Sequence, residues 1–219
     1  MSDFIISASI LGATPLNIDK EMQKIKSVNI KWIHFDVMDG KFVKNTSFED
    51  DFLDEVCNGL NLVKDVHIMI DNPYEEVERY AKCGADYLTF HYEACKDDAE
   101  VKKVIDKIHS FNMKAGLSIK PNTPIEKISP FIKDLDLVLV MSVEPGYGGQ
   151  SFINSSTEKI SSLRKIIDEE NPQILLSVDG GINDKTAPIC LSAGADVLVV
   201  GRYLFGRDDY LERFQRLVK

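Results

Sequence analysis

Histidine and aspartate recur at alternate positions inside short runs of this chain that are otherwise β-branched or aromatic. In Trp32-Ile33-His34-Phe35-Asp36-Val37-Met38-Asp39-Gly40, successive side chains of an extended strand point to opposite faces. His34, Asp36 and Met38 therefore share one face, and Ile33, Phe35 and Val37 the other. Val66-His67-Ile68-Met69-Ile70 repeats the arrangement with His67 and Met69, and Ser177-Val178-Asp179-Gly180-Gly181 ends a further run on a carboxylate. A buried charge is costly unless it is paired or bound to a metal. Two imidazoles and two carboxylates suit one divalent first-row cation, Zn²⁺ first, with Fe²⁺, Mn²⁺ or Co²⁺ as alternatives, better than they suit Ca²⁺. Taken singly, His34 and His67 also fit hydrogen-bonded core positions; the matching parity of His34, Asp36, His67 and Asp179 favours a functional cluster.

Around these runs other groups divide between chemistry and structure. His91-Tyr92-Glu93 closes another run and suits a hydrogen bond behind the cluster, a substrate contact or a structural role equally. Asp39, next to Gly40, reads as a turn residue, and His109 as a solvated residue of a charged helix. Met38, Met69 and Met141 fall at inward strand ends, where they either fill core or form flexible apolar walls around a reactive carbon. Glycine is dense in Val143-Glu144-Pro145-Gly146-Tyr147-Gly148-Gly149-Gln150-Ser151-Phe152, and Gly180-Gly181 and Gly201-Arg202 follow the next two runs. Turns of this kind let backbone N–H groups approach and cradle a phosphate. Arg202 adds a direct charge there or forms a surface ion pair.

A metal site with a phosphate cup nearby suits proton abstraction beside the ketone of a phosphorylated sugar, the cation stabilising the enediolate. One carboxylate removes the proton from one face and the other returns one from the opposite face. The product is then an epimer, with Asp36 and Asp179 as the catalytic pair.

The cluster requires strand ends that converge. Eight runs meet the description of strands: Ile5–Leu11, Trp32–Met38, Val63–Ile70, Tyr87–His91, Lys114–Ile119, Leu137–Met141, Ile174–Val178 and Val197–Val200. Between them lie helix-periodic stretches at Ile18–Val28, Tyr74–Cys83, Ala99–Phe111, Ile125–Ile132, Thr157–Glu169 and Lys185–Ala193, and Tyr210–Val218 closes the chain. Only Phe48–Gly59 is ambiguous. Eight strand-plus-helix units in 219 residues predict an α/β chain forming a single-domain (β/α)₈ TIM barrel over residues 1–219, near the lower size limit of that fold. An open doubly wound sheet competes, but Leu11-Gly12-Ala13-Thr14-Pro15 lacks the G-x-G-x-x-G of a dinucleotide fold. The phrase Gly84-Ala85-Asp86-Tyr87-Leu88 also recurs as Gly194-Ala195-Asp196-Val197-Leu198, half a barrel away.

Composition narrows the partners. A net charge of −9 argues against nucleic acid, whose binders concentrate positive charge. The longest apolar run, around Val197 to Gly201, is far short of the roughly 20 residues needed to span a bilayer. Met1-Ser2-Asp3-Phe4-Ile5-Ile6 carries no basic leader, so a cytoplasmic location is expected. Cys57, Cys83, Cys95 and Cys190 form no C-x-x-C pair and read as reduced thiols.

These motifs together resemble the ribulose-phosphate 3-epimerase family along nearly the whole chain. The likeness rests on Ser7-Ala8-Ser9-Ile10-Leu11, Trp32 to Gly40, Val66-His67-Ile68-Met69, Val143 to Phe152 and Val178-Asp179-Gly180-Gly181-Ile182. It implies a metal held by His34, Asp36, His67 and Asp179, acid/base roles for Asp36 and Asp179, and a substrate contact from Ser9. It further implies phosphate contacts from Gly146, Tyr147, Gly148 and Gly149, from Gly180-Gly181 and from Gly201-Arg202. His67, Met38, Met69, Met141 and Asp179 complete the substrate pocket on this view, and members are usually homo-oligomers. Two departures stand out: Lys44-Asn45 where the family has Pro-Asn, and Gly201-Arg202 where it has Gly-Ser. The expected substrate is D-ribulose 5-phosphate, with a six-carbon ketose phosphate such as allulose 6-phosphate as the alternative. A phosphosugar lyase is disfavoured because the corresponding strand lacks the lysine of Asp-x-Lys-x-x-Asp, and a non-catalytic phosphosugar-binding barrel because the acid/base set is complete.

Overall fold

A computed structural model describes residues 4–13, 18–47 and 61–218. Eight parallel strands close into a barrel in sequence order: β1 Ile5–Ser9, β2 Trp32–Met38, β3 Val63–Met69, β4 Tyr87–His91, β5 Lys114–Ile119, β6 Leu137–Met141, β7 Leu175–Asp179 and β8 Val197–Val200. The ring closes through Ile5 opposite Val197 and Ala8 opposite Val200. Helices cover its outside at Ile18–Ser27, Pro73–Lys82, Asp98–Ser110, Ser156–Glu170, Ala187–Ser192 and Tyr210–Leu217.

Period-two alternation sorts the strand residues. Ile33, Phe35, Val66, Ile68, Leu88 and Phe90 face outward and pack with helix residues such as Val77, Val104 and Ile108. Burying each such side chain is worth about 1.5–3 kcal/mol, so this layer carries most of the stability. Inward residues form a separate cluster in which Trp32, Leu137, Leu139 and Met141 pack with Ile5, Val63, Tyr87 and Leu175. The inner face turns polar toward the carboxyl-terminal rim, where Asp36 stands opposite His67, His91 opposite Ser118 and Met141 opposite Asp179.

The repeated Gly-Ala-Asp phrase has a mechanical role. Asp86 donates its N–H to the Lys64 carbonyl while its carboxylate accepts the Lys64 N–H at 2.7 Å. Asp196 makes the same pair of bonds to Leu176, so each aspartate seals the start of its strand to the preceding one. Asp136 does this to Ala115 at the start of β6, an equivalent that Asp134-Leu135-Asp136 conceals because no glycine precedes it.

Three expectations need correction. The first strand stops at Ser9, and Ile10–Gly12 forms a 3₁₀ turn that ends the run expected to reach Leu11. The helix expected over Ile125–Ile132 is instead two 3₁₀ segments, Ile125–Lys127 and Ser129–Asp134. Pro130 has no N–H to continue an α-helix, and the Ser129 hydroxyl donates to the Ile125 carbonyl at 3.1 Å. His109 is exposed but not merely solvated, because its Nε2 lies 2.9 Å from Asp136 Oδ2. The ambiguous stretch Phe48–Gly59, with Cys57, lies outside the described residues. Cys95 and Cys190 are free thiols, and burial raises both to about 12. No helix among the described residues is long and apolar enough to cross a membrane.

Candidate active site

Strand parity carries His34 and Asp36 from β2, His67 from β3 and Asp179 from the end of β7 into the barrel mouth. One ligand atom from each lies within 4.8 Å of all the others. His34 Nε2 and His67 Nδ1 approach the same oxygen, Asp36 Oδ1, at 3.3 and 3.1 Å. Ser9 donates its hydroxyl to the other oxygen, Asp36 Oδ2, at 3.0 Å. Hydrogen bonding behind the cluster fixes His34, whose Nδ1 lies 2.7 Å from Asp65 Oδ2. A carboxylate only accepts, so Nδ1 bears a proton, and Nε2 is the nitrogen left to give its lone pair to a cation, which would take the place of any proton there. His34 Nε2 is buried without a hydrogen-bond partner, the condition of a nitrogen available to a cation. Donor type, convergence and this orphaned nitrogen all fit a divalent metal.

The two carboxylates are driven apart electrostatically. Burial would raise the Asp36 pKa, but His34 and His67 outweigh it and hold the group well below the usual carboxylate range. At Asp179 burial, reinforced by the Asp36 charge, raises the pKa to about 7. Burial likewise opposes a charged His34, yet Asp65 and Asp36 raise its pKa well above the ordinary imidazole value. Two neighbouring acids with opposite shifts are the pattern expected of an acid/base pair.

Above the cluster opens a cleft of about 100 Å³. Every expected substrate-contact residue lines it except His67: Ser9, Met38, Met69, Met141, Gly146, Tyr147, Gly148, Gly149, Asp179, Gly180, Gly181, Gly201 and Arg202. His67, like His34, is fully buried and does not line the cleft. The methionines are apolar walls: Met38 and Met69 pack with Val43, Leu11 and Phe42, and Met141 with Val143. Gly180 adopts φ +127° and a side-chain carbon there would meet the Val143 nitrogen at 2.8 Å, so two turns pack backbone against backbone. Arg202 lies across Gly149, where a methyl group would approach its Nη1 to 2.4 Å. The Gln150 amide nitrogen donates to the Glu144 and Tyr147 carbonyls at 2.6 and 2.9 Å and pins the glycine loop. Asn45, in one of the two departures, donates to the Gly146 carbonyl at 2.9 Å, tying the β2 turn to that loop.

Asp39 is the expected turn residue: its carboxylate accepts the N–H groups of Lys41, Phe42 and Asp71. Two contributors escaped the sequence reading. Asp65 precedes His67 by two positions and so shares its inward face, a signal that parity contained. Gly12 lines the cleft, and a side chain on it would meet the Arg202 nitrogen at 2.8 Å; nothing in its neighbours marks that approach.

A closed barrel whose functional side chains gather at the carboxyl-terminal rim defines an enzyme of the (β/α)₈ class. Residues 5–205 match the model of the "Ribulose-phosphate 3 epimerase family", and the chain belongs to that family of isomerases. It is 38% identical over 205 residues to the ribulose-phosphate 3-epimerase of Bacillus subtilis, covering 93% of each chain. It is 39% identical over 211 residues to the chloroplastic ribulose-5-phosphate-3-epimerase of Arabidopsis thaliana, covering 96% of this chain and 75% of that one. Among solved structures, a 3-hexulose-6-phosphate synthase superposes with a TM-score of 0.70 at 16% identity, covering 97% of both chains. That likeness concerns the fold alone.

Proposed function

We propose that this chain is a metal-dependent epimerase that interconverts D-ribulose 5-phosphate and D-xylulose 5-phosphate by proton transfer at C3. The observation that carries the reading is the meeting of Asp36 and Asp179 within one four-residue cluster on the floor of a glycine-rimmed cleft. His34, Asp36, His67 and Asp179 would hold one divalent ion, Zn²⁺ first, with Fe²⁺, Mn²⁺ or Co²⁺ as alternatives. When bound, that ion supplies positive charge to offset the negative charge developing as the carbon acid ionises.

The protein residues do the rest. Ser9 holds one oxygen of Asp36, leaving its carboxylate oriented toward the reacting carbon. Asp36 and Asp179 exchange the C3 proton from opposite faces, each serving as base in one direction and acid in the other. Met38, Met69 and Met141 exclude water from the intermediate without competing for protons. The glycine turns at Gly146 to Gly149, Gly180-Gly181 and Gly201-Arg202 hold the phosphate through backbone N–H groups and the guanidinium. Family likeness supports a cytoplasmic homo-oligomer in which residues 1–219 form one catalytic domain.

The test is solvent-deuterium wash-in at C3. Metal-supplemented enzyme should exchange this proton and convert ribulose 5-phosphate with a higher kcat/KM than allulose 6-phosphate assayed in parallel. Asp36→Asn and Asp179→Asn should each cut epimerisation about 10³-fold. Wash-in that persists undiminished in both variants would refute the two-carboxylate mechanism.

A further inference from the structure

His91 is the last residue of β4, and Glu93 sits in the 3₁₀ turn Tyr92–Ala94 that follows. Neither lines the cleft, and His91 is fully buried. His91 Nδ1 lies 3.3 Å from Glu93 Oε2, and His91 Nε2 lies 2.9 Å from His67 Nε2. Two imidazole nitrogens at that distance need one proton between them. A carboxylate can only accept, so the proton of His91 belongs on Nδ1 and its Nε2 presents a lone pair. Full burial disfavours a second proton on His91. His67 thus stands between two acceptors, His91 Nε2 and Asp36 Oδ1, the latter 3.1 Å from its Nδ1; a cation taking Nδ1 would require its proton on Nε2, where His91 is placed to accept it.

We propose that His91 and Glu93 are positioning residues which, through this hydrogen-bond relay, fix the tautomer of His67 that presents Nδ1 to the cation. The proposal rests on the reading of the cluster as a metal site. It gives His67 the control that Asp65 exerts directly on His34, carried across one intervening ring. The far end of the relay is braced from the next strand. Glu93 Oε1 accepts the Lys120 N–H at 2.8 Å and the Thr123 hydroxyl. Lys159 Nζ in turn gathers the carbonyls of Lys120, Pro121 and Thr123 at 3.0, 2.8 and 2.6 Å. Phe42 covers His91 with ring centroids 4.9 Å apart, and the Lys120 ammonium caps Phe42 at 4.1 Å. A histidine needed only as filler would require neither the carboxylate nor its bracing.

Partners that orient a ligating histidine typically change metal affinity about 10–100-fold. The experiment titrates metal-free full-length protein with Co²⁺ and Zn²⁺ against a competing chelator, with folding checked by circular dichroism. His91→Leu, which keeps bulk but accepts no hydrogen bond, should weaken Co²⁺ at least fivefold. His91→Gln, whose amide oxygen can accept from His67 Nε2, should recover most of the loss. A smaller loss in His91→Leu, with wild type binding normally, would overturn the relay alone. Wild-type protein that takes up neither ion would overturn the metal reading and the relay with it. Should His91→Leu fail to fold, nitrogen-15 spectra of the zinc-loaded wild type decide. A proton on His67 Nε2 and on His91 Nδ1 supports the relay, and a proton on His67 Nδ1 refutes it.

Discussion

The floor and the rim of the cleft are built from different parts of the chain. On the floor, side chains at strand ends meet because closure of the barrel forces them together, and each is held from behind: His34 by Asp65, Asp36 by Ser9, His67 by His91. At the rim, the proposed binding surface is the backbone itself, at Gly146 to Gly149, Gly180-Gly181 and Gly201, held by Gln150 within the glycine loop and by Asn45 and Ser142 between loops. The Ser142 hydroxyl donates to the Gly180 carbonyl at 2.8 Å. The difference separates two tasks. Proton transfer needs atoms fixed to a fraction of an ångström, which strands provide; a phosphate needs many donors on a concave surface, which turns provide.

If that division holds, substitutions on the floor and the rim should fail in different kinetic constants. Asp36→Asn removes both an acid/base group and a metal donor, and kcat should fall about 10³-fold while KM stays within a few-fold. Steady-state kinetics on metal-supplemented protein checks this. A large rise in KM with kcat preserved would mean that Asp36 serves binding, and the contrast between floor and rim would fail.

The rim answers differently. Gly180→Ala places a methyl group 2.6 Å from Val143 Cγ2 and 2.8 Å from the Val143 nitrogen at φ +127°. Backbone cannot yield cheaply, so the variant should lose about 1–3 kcal/mol of stability, with KM raised about tenfold by displacement of the adjoining N–H groups. Gly149→Ala meets the Arg202 side chain instead, which can swing aside, so its stability loss should be the smaller of the two. Melting temperatures and KM for both variants test the pair; equal destabilisation would show that backbone contact is not what fixes the turn.

The same division explains which parts of the molecule were legible in the sequence. β2, β4, β5, β6 and β8 run over the residues expected of them, because alternation of apolar and polar side chains is a direct imprint of two unlike faces. Parity alone placed His34, Asp36, His67 and Asp179 inside the ring. It also placed Asp65 there, but a single carboxylate beside Lys64 at the start of a run looks like a solvated strand end until a partner is known. The relay from His67 to Glu93 was half visible, since its outer bracing joins Glu93 to Thr123, thirty residues apart, and depends on how two loops cross. Gly12 shows the limit on the rim: close backbone approach has no side-chain signature. Over Ile125–Ile132 the apolar spacing was helical, but proline chemistry overrode it.

The smallest expected effect concerns the floor without its cation. There Asp179 keeps its proton up to about pH 7, because burial and the neighbouring Asp36 charge disfavour ionisation, against an ordinary value of 3.8. The folded state thus binds this proton more tightly than the unfolded state, and its contribution to stability is complete below about pH 4 and is lost as the pH climbs toward 7. Asparagine has no proton to lose. Metal-free Asp179→Asn should therefore melt about 2–4 °C above metal-free wild type at pH 8, and the gap should close near pH 4. Adding Zn²⁺ should reverse the order at pH 8, since only the wild type regains a full donor set. Thermal melts at the two pH values, with and without Zn²⁺, distinguish a floor built for binding and proton transfer from one built for stability. A metal-free variant less stable than wild type at pH 8 would mean that Asp179 is held ionised by its surroundings, and that the floor, like the rim, is stable as it stands.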